Sequence, residues 1–512
     1  MTVEDQTLFE QLRARAAQDP GGIYARYDGA PITFGDLARH ASSLAAALRA
    51  RGLGKGSRVA VMMRNSPEAL AVIFALAREG MAWVPLNAQQ RGEGLRYILE
   101  HSAPGLVIAD AEHLMAIGAC GAGIEPERLV VHGASDGHAP LQPLLEGEAG
   151  AGVSPPRAGD LFAIMYTSGT TGRPKGVLVT HRMMQRAGEA AGLVAGTEPG
   201  DVFLVWEPLY HIGGAQLLGL PMTHGIALAM IGRFSAANFW SETRRYGATH
   251  IHFLGGILQM LLKQPPGPLD RSHGARIAWG GGCPPDVWTP FQERFGVAIR
   301  ECYGMTESSS ITTFNVEGVV GSVGRPVPWL DVELRLDGRT IARPGERGEI
   351  VVRTKDPGAV FAGYLDHPEA TAKALRDGAF YTGDLGSWDA GGRLVFHGRM
   401  TDSVRCRGEN VSAWEVEHVA AKHPAVEHCA MIGVAAEIGE QEIKLFVKPK
   451  PGAQVDPAEM SAWLAPRLAA YQNPRYIKVI DEFERTPSQR IMKHKLSARR
   501  DDCWDRLAQQ GR

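Results

Sequence analysis

The sequence predicts an α/β protein with a large N-terminal part built on parallel sheet and a smaller α+β part after it. Three observations carry that reading. Short apolar runs alternate with amphipathic helical stretches through the first hundred residues, and strands that alternate with helices pair parallel with both faces covered. A Gly- and hydroxyl-rich turn interrupts two strand-like runs near residue 170. From Trp414 onward, short apolar strands (429–434, 443–447) alternate with helices (416–422, 458–468), as in a small α+β domain. A chain of 512 residues has room for two or more domains and a large core.

In order, Thr7-Leu8-Phe9-Glu10 has capping-box spacing and opens a short helix with Leu8 and Leu12 on one face. Thr33 caps a longer helix carrying Leu37, Ala41, Leu44, Ala45 and Leu48 on one side, stopped by Gly52 and Gly54. Strands are expected at 59–63, 83–86 and 106–109, with a helix over 68–78. Nothing before residue 160 carries obvious chemistry. Residues 110–160 are Gly-, Ala- and Pro-rich, as at Gly133-Ala134-Ser135-Asp136-Gly137, and read as surface connection.

Residues Met165 to Gly176 read Met-Tyr-Thr-Ser-Gly-Thr-Thr-Gly-Arg-Pro-Lys-Gly. Phe162, Ala163 and Ile164 lead in as the end of a buried strand, and Val177-Leu178-Val179 resumes one. A glycine-rich turn lets backbone N–H groups converge on an anion. Hydroxyls add donors, and Lys175 supplies a positive charge for phosphate oxygens. The spacing is not Gly-x4-Gly-Lys-Ser/Thr, so a Walker loop is excluded. This stretch is a nucleotide-phosphate loop, followed by a helix from His181.

Composition bounds the function. Lys and Arg number 54 against 56 Asp and Glu, a net charge of −2, which argues against a nucleic-acid surface. The six cysteines include no Cys-x-x-Cys pair and suit free thiols in a reducing cytoplasm. The N-terminus has no signal-peptide pattern. The most apolar stretch, 217–231, is broken by Pro221 and His224 and is too short to span a bilayer.

Further along, Tyr303-Gly304-Met305-Thr306-Glu307 sets a ring that can stack on a purine beside a hydroxyl for phosphate and a carboxylate for Mg²⁺. Asp384, in Tyr381-Thr382-Gly383-Asp384-Leu385, can accept two hydrogen bonds from a ribose diol. Pro208-Leu209-Tyr210-His211-Ile212-Gly213-Gly214 could line a small-molecule pocket or be an ordinary strand–helix turn. The segment 252–258 is expected to start a helix beside it. Ile277 to Pro285 forms another glycine-rich turn, with Trp279 either narrowing a pocket or packing in the core.

Thr167-Ser168-Gly169-Thr170-Thr171-Gly172-Arg173-Pro174-Lys175-Gly176 resembles the signature of the adenylate-forming superfamily. That superfamily includes acyl- and aryl-CoA synthetases, adenylation domains and beetle luciferases. Further motifs recur in family order to about residue 495. The wording Arg407-Gly408-Glu409-Asn410-Val411-Ser412 resembles the crotonobetaine/carnitine-CoA ligase-like branch. The resemblance implies an ATP-, Mg²⁺- and CoA-dependent ligase for a small-molecule carboxylic acid. It also implies an N-terminal domain over 1–400, with a β-subdomain bounded by turns at 321–326 and 345–350. A small mobile domain over 401–512 would pivot at Thr401 or Asp402.

By the same resemblance, Thr167, Ser168, Gly169, Thr170, Thr171, Gly172 and Lys175 grip the phosphates. Thr170 and Glu307 hold the metal, and Tyr303 with Gly304 meets the adenine. Thr306 reaches phosphate, Gly281 and Gly282 lie against adenine and acyl group, and His211 borders the acyl pocket. Asp384 binds the ribose, Arg399 reaches ribose or phosphate, and Gly408 admits the pantetheine arm. The family's usual Thr-x-Ser/Thr-Gly-Lys-Ile loop is here Thr486-Pro487-Ser488-Gln489-Arg490-Ile491. Arginine stands where the adenylation lysine is expected, so Arg490 or Lys493 takes that role. The acceptor could instead be a carrier-protein thiol or an amine, or the chain could bind nucleotide without turnover. The acid and the oligomeric state, a homodimer among the options, stay open.

Overall fold

The computed structural model describes residues 6–134, 137–150, 154–167, 174–232, 234–254, 256–336, 338–400, 403–406, 409–436, 441–468, 472–485 and 491–509. At 403, 405, 409, 410, 412, 414 and 415 it describes the backbone alone. The chain forms two compact units. One comprises Met1–Thr167, Pro174–Val332 and Val352–Phe380, and the other Glu333–Val351 and Tyr381–Arg512.

The first unit opens as its sequence directs. Thr7 caps the helix Leu8–Gln18 with both hydrogen bonds of a capping box. Thr33 caps Phe34–Ala50, which buries Leu37, Ala41, Leu44, Ala45 and Leu48. Ser66 caps Pro67–Glu79, where Gly80 ends the helix in the left-handed conformation.

A seven-stranded sheet runs in the order Ala139–Pro140, Leu129–His132, Leu106–Asp110, Arg58–Met62, Ala82–Pro85, Leu161–Thr167, Lys175–Thr180. Its pairs are parallel except the last, where Leu161–Thr167 turns back on Lys175–Thr180. Two strands and the helices Leu114–Ala119 and Gln142–Glu146 thus fall in the 110–160 stretch that reads as plain connection. Val130 and Val131 are sealed between neighbours. A run of three apolar residues and a histidine is too short to show a period, so composition hid it.

A nine-stranded sheet takes the order Arg325–Pro326, Thr313–Asn315, Ala298–Tyr303, Ile277–Gly281, His250–Leu254, Val202–Val205, Ala227–Met230, Ile23–Tyr27, Ala30–Thr33. Its middle strands, from Ala298–Tyr303 to Ile23–Tyr27, are parallel. The expected helix start at 252–258 is corrected here. His252, Phe253 and Leu254 finish a strand flanked by parallel partners on both sides, and the helix is Ile257–Leu262. Aromatic and β-branched residues at 250–254 fit a pleated, enclosed position better than a helix. Phe253 then enters a core cluster with Trp288, Phe291 and Phe295.

The β-subdomain is a five-stranded sheet in the order Leu330–Arg335, Gly348–Thr354, Ala379–Trp388, Leu375–Arg376, with Leu394–Arg399 on Ala379–Trp388. Beyond it lie the hairpin Ser403–Cys406 with Glu409–Ser412 and a four-stranded sheet of Val426–Ala435, Gln441–Pro449, Tyr476–Val479 and Trp504–Asp505. The helices Ala413–Ala420 and Pro457–Leu464 complete the α+β domain, starting slightly before the expected bounds. Lys444 is sealed within it, bonded to Ser497 O (2.9 Å), Arg499 O (2.5 Å) and Asp502 Oδ1 (2.6 Å). None of the six cysteines is in a disulfide. No helix among the described residues is long and apolar enough to cross a membrane.

Candidate active site

Ligands of open α/β sheets bind beyond the carboxyl ends of parallel strands. In the first unit those ends carry Val205, Leu254, Gly281 and Tyr303, which sets the rim of the site. Ser168, Gly169, Thr170, Thr171 and Gly172 lie outside the described residues, as do Thr401, Asp402, Gly408 and Arg490. The two ends of the phosphate loop are described. Thr167 closes one strand and Lys175 opens the next, paired directly across the antiparallel ladder.

Lys175 Nζ lies 4.7 Å from the centroid of the Tyr364 ring. The phenol of Tyr364 donates to Glu307 Oε1 at 2.9 Å. One aromatic side chain therefore links the expected phosphate cation to the expected metal carboxylate. Tyr364 is held by its backbone, which bridges to Val177, and by a hydrogen bond from its N–H to Thr371 Oγ1. Sequence reasoning missed it: a Gly-Tyr pair almost two hundred residues from the loop carries no local signal of this contact.

Glu307 sits in the single 3₁₀ turn Thr306–Ser308 and is buried, as is Thr306. The next two residues, Ser309 and Ser310, have φ of 56° and 72°, a left-handed conformation that costs a serine about 1 kcal/mol each. Side-chain bonds hold them there: Ser309 Oγ donates to Ala359 O at 2.6 Å, and Ser310 Oγ to Gln216 Oε1 at 2.7 Å. Phe361 N donates to Glu307 O. The turn is thus pinned on several sides, with Glu307 fixed before any ligand arrives. Buried oxygen donors of this kind suit Mg²⁺, which takes few protein oxygens together with those of a phosphate.

Tyr303 ends its strand nearly buried, and its carbonyl accepts from Thr312 N at 2.7 Å. Gly304 follows where a Cβ would lie 2.0 Å from Ser310 O, so only glycine fits the turn. Gly281 and Gly282 stand at the neighbouring strand end, and Gly282 has φ of 86°. Gly282 and Cys283 are held by Glu301, whose Oε1 accepts from Gly282 N at 3.0 Å and Cys283 N at 2.9 Å. Burial pushes the Glu301 carboxyl up to about 7, with those two bonds pulling the other way. Glu301 was invisible in the sequence, where it is one acid on a strand.

His211 stands at the N-terminus of the four-residue helix Ile212–Ala215, its ring centroid 4.8 Å from that of Tyr210. Burial pushes the Tyr210 phenol up to about 12. The preceding turn is tied by Asn65, which donates to Glu207 O at 2.8 Å and accepts from Leu209 N at 2.9 Å. Trp279 is fully buried against His252 and Phe203, so core packing accounts for it.

In the second unit Asp384 and Arg399 face each other across the strands Ala379–Trp388 and Leu394–Arg399. Asp384 is buried, and its Oδ1 lies 3.5 Å from Arg399 Nε. Gly383, φ 72°, turns the chain there, with its N–H bonded to Glu349 Oε1 at 3.1 Å. Lys493 Nζ lies 2.9 Å from Glu417 Oε1.

Two family models match the chain: AMP-binding enzyme over residues 12–365, and AMP-binding enzyme C-terminal domain over 415–490. The chain is 33% identical over 501 residues to a sulfoacetate–CoA ligase of Cupriavidus necator, covering 96% of this chain and 97% of that protein. It is 29% identical over 477 residues to a crotonobetaine/carnitine–CoA ligase of Salmonella heidelberg, covering 87% and 89%. Among solved structures, o-succinylbenzoate coenzyme A synthetase of Bacillus subtilis with ATP and magnesium superposes with a TM-score of 0.84. Identity there is 25%, over 96% of this chain and 99% of that one. The chain belongs to the AMP-binding enzyme family, among its acyl-CoA ligases.

Proposed function

We propose that this protein joins a small carboxylic acid to CoA in two steps, first as acyl-adenylate with loss of pyrophosphate, then as thioester with loss of AMP. The observation that carries the assignment is the Lys175–Tyr364–Glu307 chain at the mouth of the phosphate loop. It puts a cation over the face of one fixed ring and a carboxylate at its hydroxyl, as needed where a triphosphate and its counter-ion meet.

In this reading Lys175 and the hydroxyls of Ser168, Thr170 and Thr171 bind the β- and γ-phosphates. Thr306 contacts the α-phosphate, Tyr303 with Gly304 and the Gly281–Gly282 turn bound the adenine, and Asp384 and Arg399 take the ribose. Thr170 and Glu307 hold Mg²⁺, which when bound neutralises phosphate charge. The rate gain is then mainly positioning and charge neutralisation, as for nucleotidyl transfer in general. Arg490 or Lys493 meets the acid carboxylate in the first step, and His211 borders the acyl group. For the second step the domain over 401–512 turns about Thr401–Asp402 and brings Gly408 to the pantetheine arm. Six cysteines without a disulfide fit a reducing cytoplasm.

A panel of carboxylic acids incubated with Mg-ATP, with and without CoA, tests the reading. The expected result is CoA-dependent AMP and acyl-CoA for at least one acid, and loss of both in Lys175→Ala. Transfer to an amine or a carrier-protein thiol with CoA inert would replace CoA as the acceptor. Tight ATP binding without pyrophosphate release from any acid would refute turnover.

A further inference from the structure

At the carboxyl ends of Val202–Val205, His250–Leu254 and Ile277–Gly281, one face of the sheet carries an ionic pair the mechanism above does not use. His252 stands across from Trp279 in register, and Leu254 across from Gly281 one pleat nearer the rim. The rim is open: Leu254 is 39% exposed, and a Cβ on Gly213 would lie 3.8 Å from it and 3.6 Å from Glu207 Oε1. Just behind that opening sit Glu207 and His252, 3% and 4% exposed.

Glu207 Oε1 is in direct contact with His252 Nδ1. Glu207 Oε2 is sealed from solvent with no donor upon it. His252 Nδ1 is sealed as well, whereas Nε2 is not among the sealed atoms and has no hydrogen bond or ion pair among the described residues. The ring is fixed on its other sides. Trp279 meets it edge-on at 4.3 Å between centroids, and Trp206 Nε1 donates to the His252 carbonyl at 2.9 Å. The local field is negative: after burial itself, Glu301 on the next strand but one and Glu207 push the Cys302 thiol up, with Glu301 carrying its charge fully only above about pH 7. Arg300, across from Trp279, is turned away to Val194 O.

A carboxylate against one imidazole nitrogen fixes the tautomer and the ring orientation. The Oε1–Nδ1 contact is not an aligned hydrogen bond, but a carboxylate that close draws the imidazole proton to Nδ1, and Nε2 then presents a lone pair. We propose that the Glu207–His252 pair reads the acyl group of the substrate, and that the acids taken carry a hydrogen-bond donor, a hydroxyl or an amine, on the acyl chain. His252 is the contacting residue and Glu207 the positioning one. A second anionic group is disfavoured by the Glu207 carboxylate, and above about pH 7 by Glu301 also. The inference rests on the acid–CoA ligase reading. An acyl group without a donor would bury Nε2 unpaired, and sites built around such a bond discriminate strongly against the analogue lacking it.

The test uses the full-length enzyme and pairs of acids of one carbon skeleton, with and without a hydroxyl or amino group at positions 2 to 4. A third arm carries a second carboxylate. For at least one skeleton the wild type should favour the donor-bearing acid by about 10- to 100-fold in kcat/KM. Hydroxyl and amino arms separate the two sources of the donor. In His252→Phe and Glu207→Leu that ratio should collapse towards one while the KM for ATP holds, and Glu207→Gln should recover part of it. Equal losses on both members of each pair would mean a structural role and overturn the proposal. So would a wild type that prefers the unsubstituted or the dicarboxylic acid, a comparison that needs no variant. No pyrophosphate from any acid overturns the ligase reading and this inference with it; turnover without discrimination overturns this inference alone.

Discussion

Replacing Tyr364 by phenylalanine separates the two contacts that this side chain makes. The ring under Lys175 Nζ stays, at 4.7 Å from its centroid, and the 2.9 Å bond to Glu307 Oε1 goes. A hydrogen bond to a charged group contributes about 1.5–3 kcal/mol net. If Glu307 holds the metal, that loss appears as about a 10- to 100-fold fall in kcat/KM for pyrophosphate exchange, since 1.4 kcal/mol is tenfold. Alanine at 364 removes the ring also, and a half-buried cation–π contact is worth about 0.5–2 kcal/mol more. The order wild type, Tyr364→Phe, Tyr364→Ala is therefore expected, with both variants needing more Mg²⁺ for half-maximal rate. Initial rates of ATP–pyrophosphate exchange across a magnesium titration measure this. A Tyr364→Phe enzyme within twofold of wild type at every magnesium concentration would refute the coupling of Tyr364 to Glu307. Identical losses in the two variants would refute the contribution of the ring.

Other sites give sharper tests of the fold than of the chemistry. The Glu301 carboxyl is raised to about 7 by burial, against an ordinary value near 4.5, so the folded state holds a proton that the unfolded state has lost between those values. Its stabilisation is full below about pH 4.5 and fades as pH rises through 7, a span of about 3 kcal/mol. Denaturation midpoints of wild type relative to Glu301→Gln should fall from pH 5 to pH 8; a constant difference contradicts the burial argument. Lys444→Met leaves two carbonyls and Asp502 without their buried cation, though Lys478 Nζ still lies 2.5 Å from Asp502. A loss of about 3 kcal/mol in denaturant unfolding is expected, and less than about 0.5 kcal/mol would contradict it. For the adenylation cation, Arg490→Ala and Lys493→Ala are compared in pyrophosphate exchange: one of them loses rate by at least about tenfold, and if neither does, the assignment to these two positions is wrong.

The sequence made local features legible and left the long-range ones hidden. Capping signals at Thr7 and Thr33 define their helices because cap and helix are neighbours in the chain. The phosphate loop, Tyr303 to Glu307 and Asp384 stand out because several unusual residue types recur at short spacing. The strand Leu129–His132 stays hidden because three apolar residues and a histidine show no period. The strand His250–Leu254 was mistaken for a helix start because its parallel partners come from residues near 203 and 279, which no window spans. Tyr364, Glu301 and the Glu207–His252 pair share that cause. Each is an ordinary residue in its own segment, and its meaning lies in a partner brought close by the sheet.

The central claim is that a substrate carboxylate attacks the α-phosphate of ATP. Running the reaction to completion with an accepted acid labelled with ¹⁸O in its carboxylate, then measuring the mass of the AMP released, tests this directly. Attack by the carboxylate places one ¹⁸O atom in each AMP and none in pyrophosphate. Label in inorganic phosphate with ADP as product, or unlabelled AMP, would contradict it.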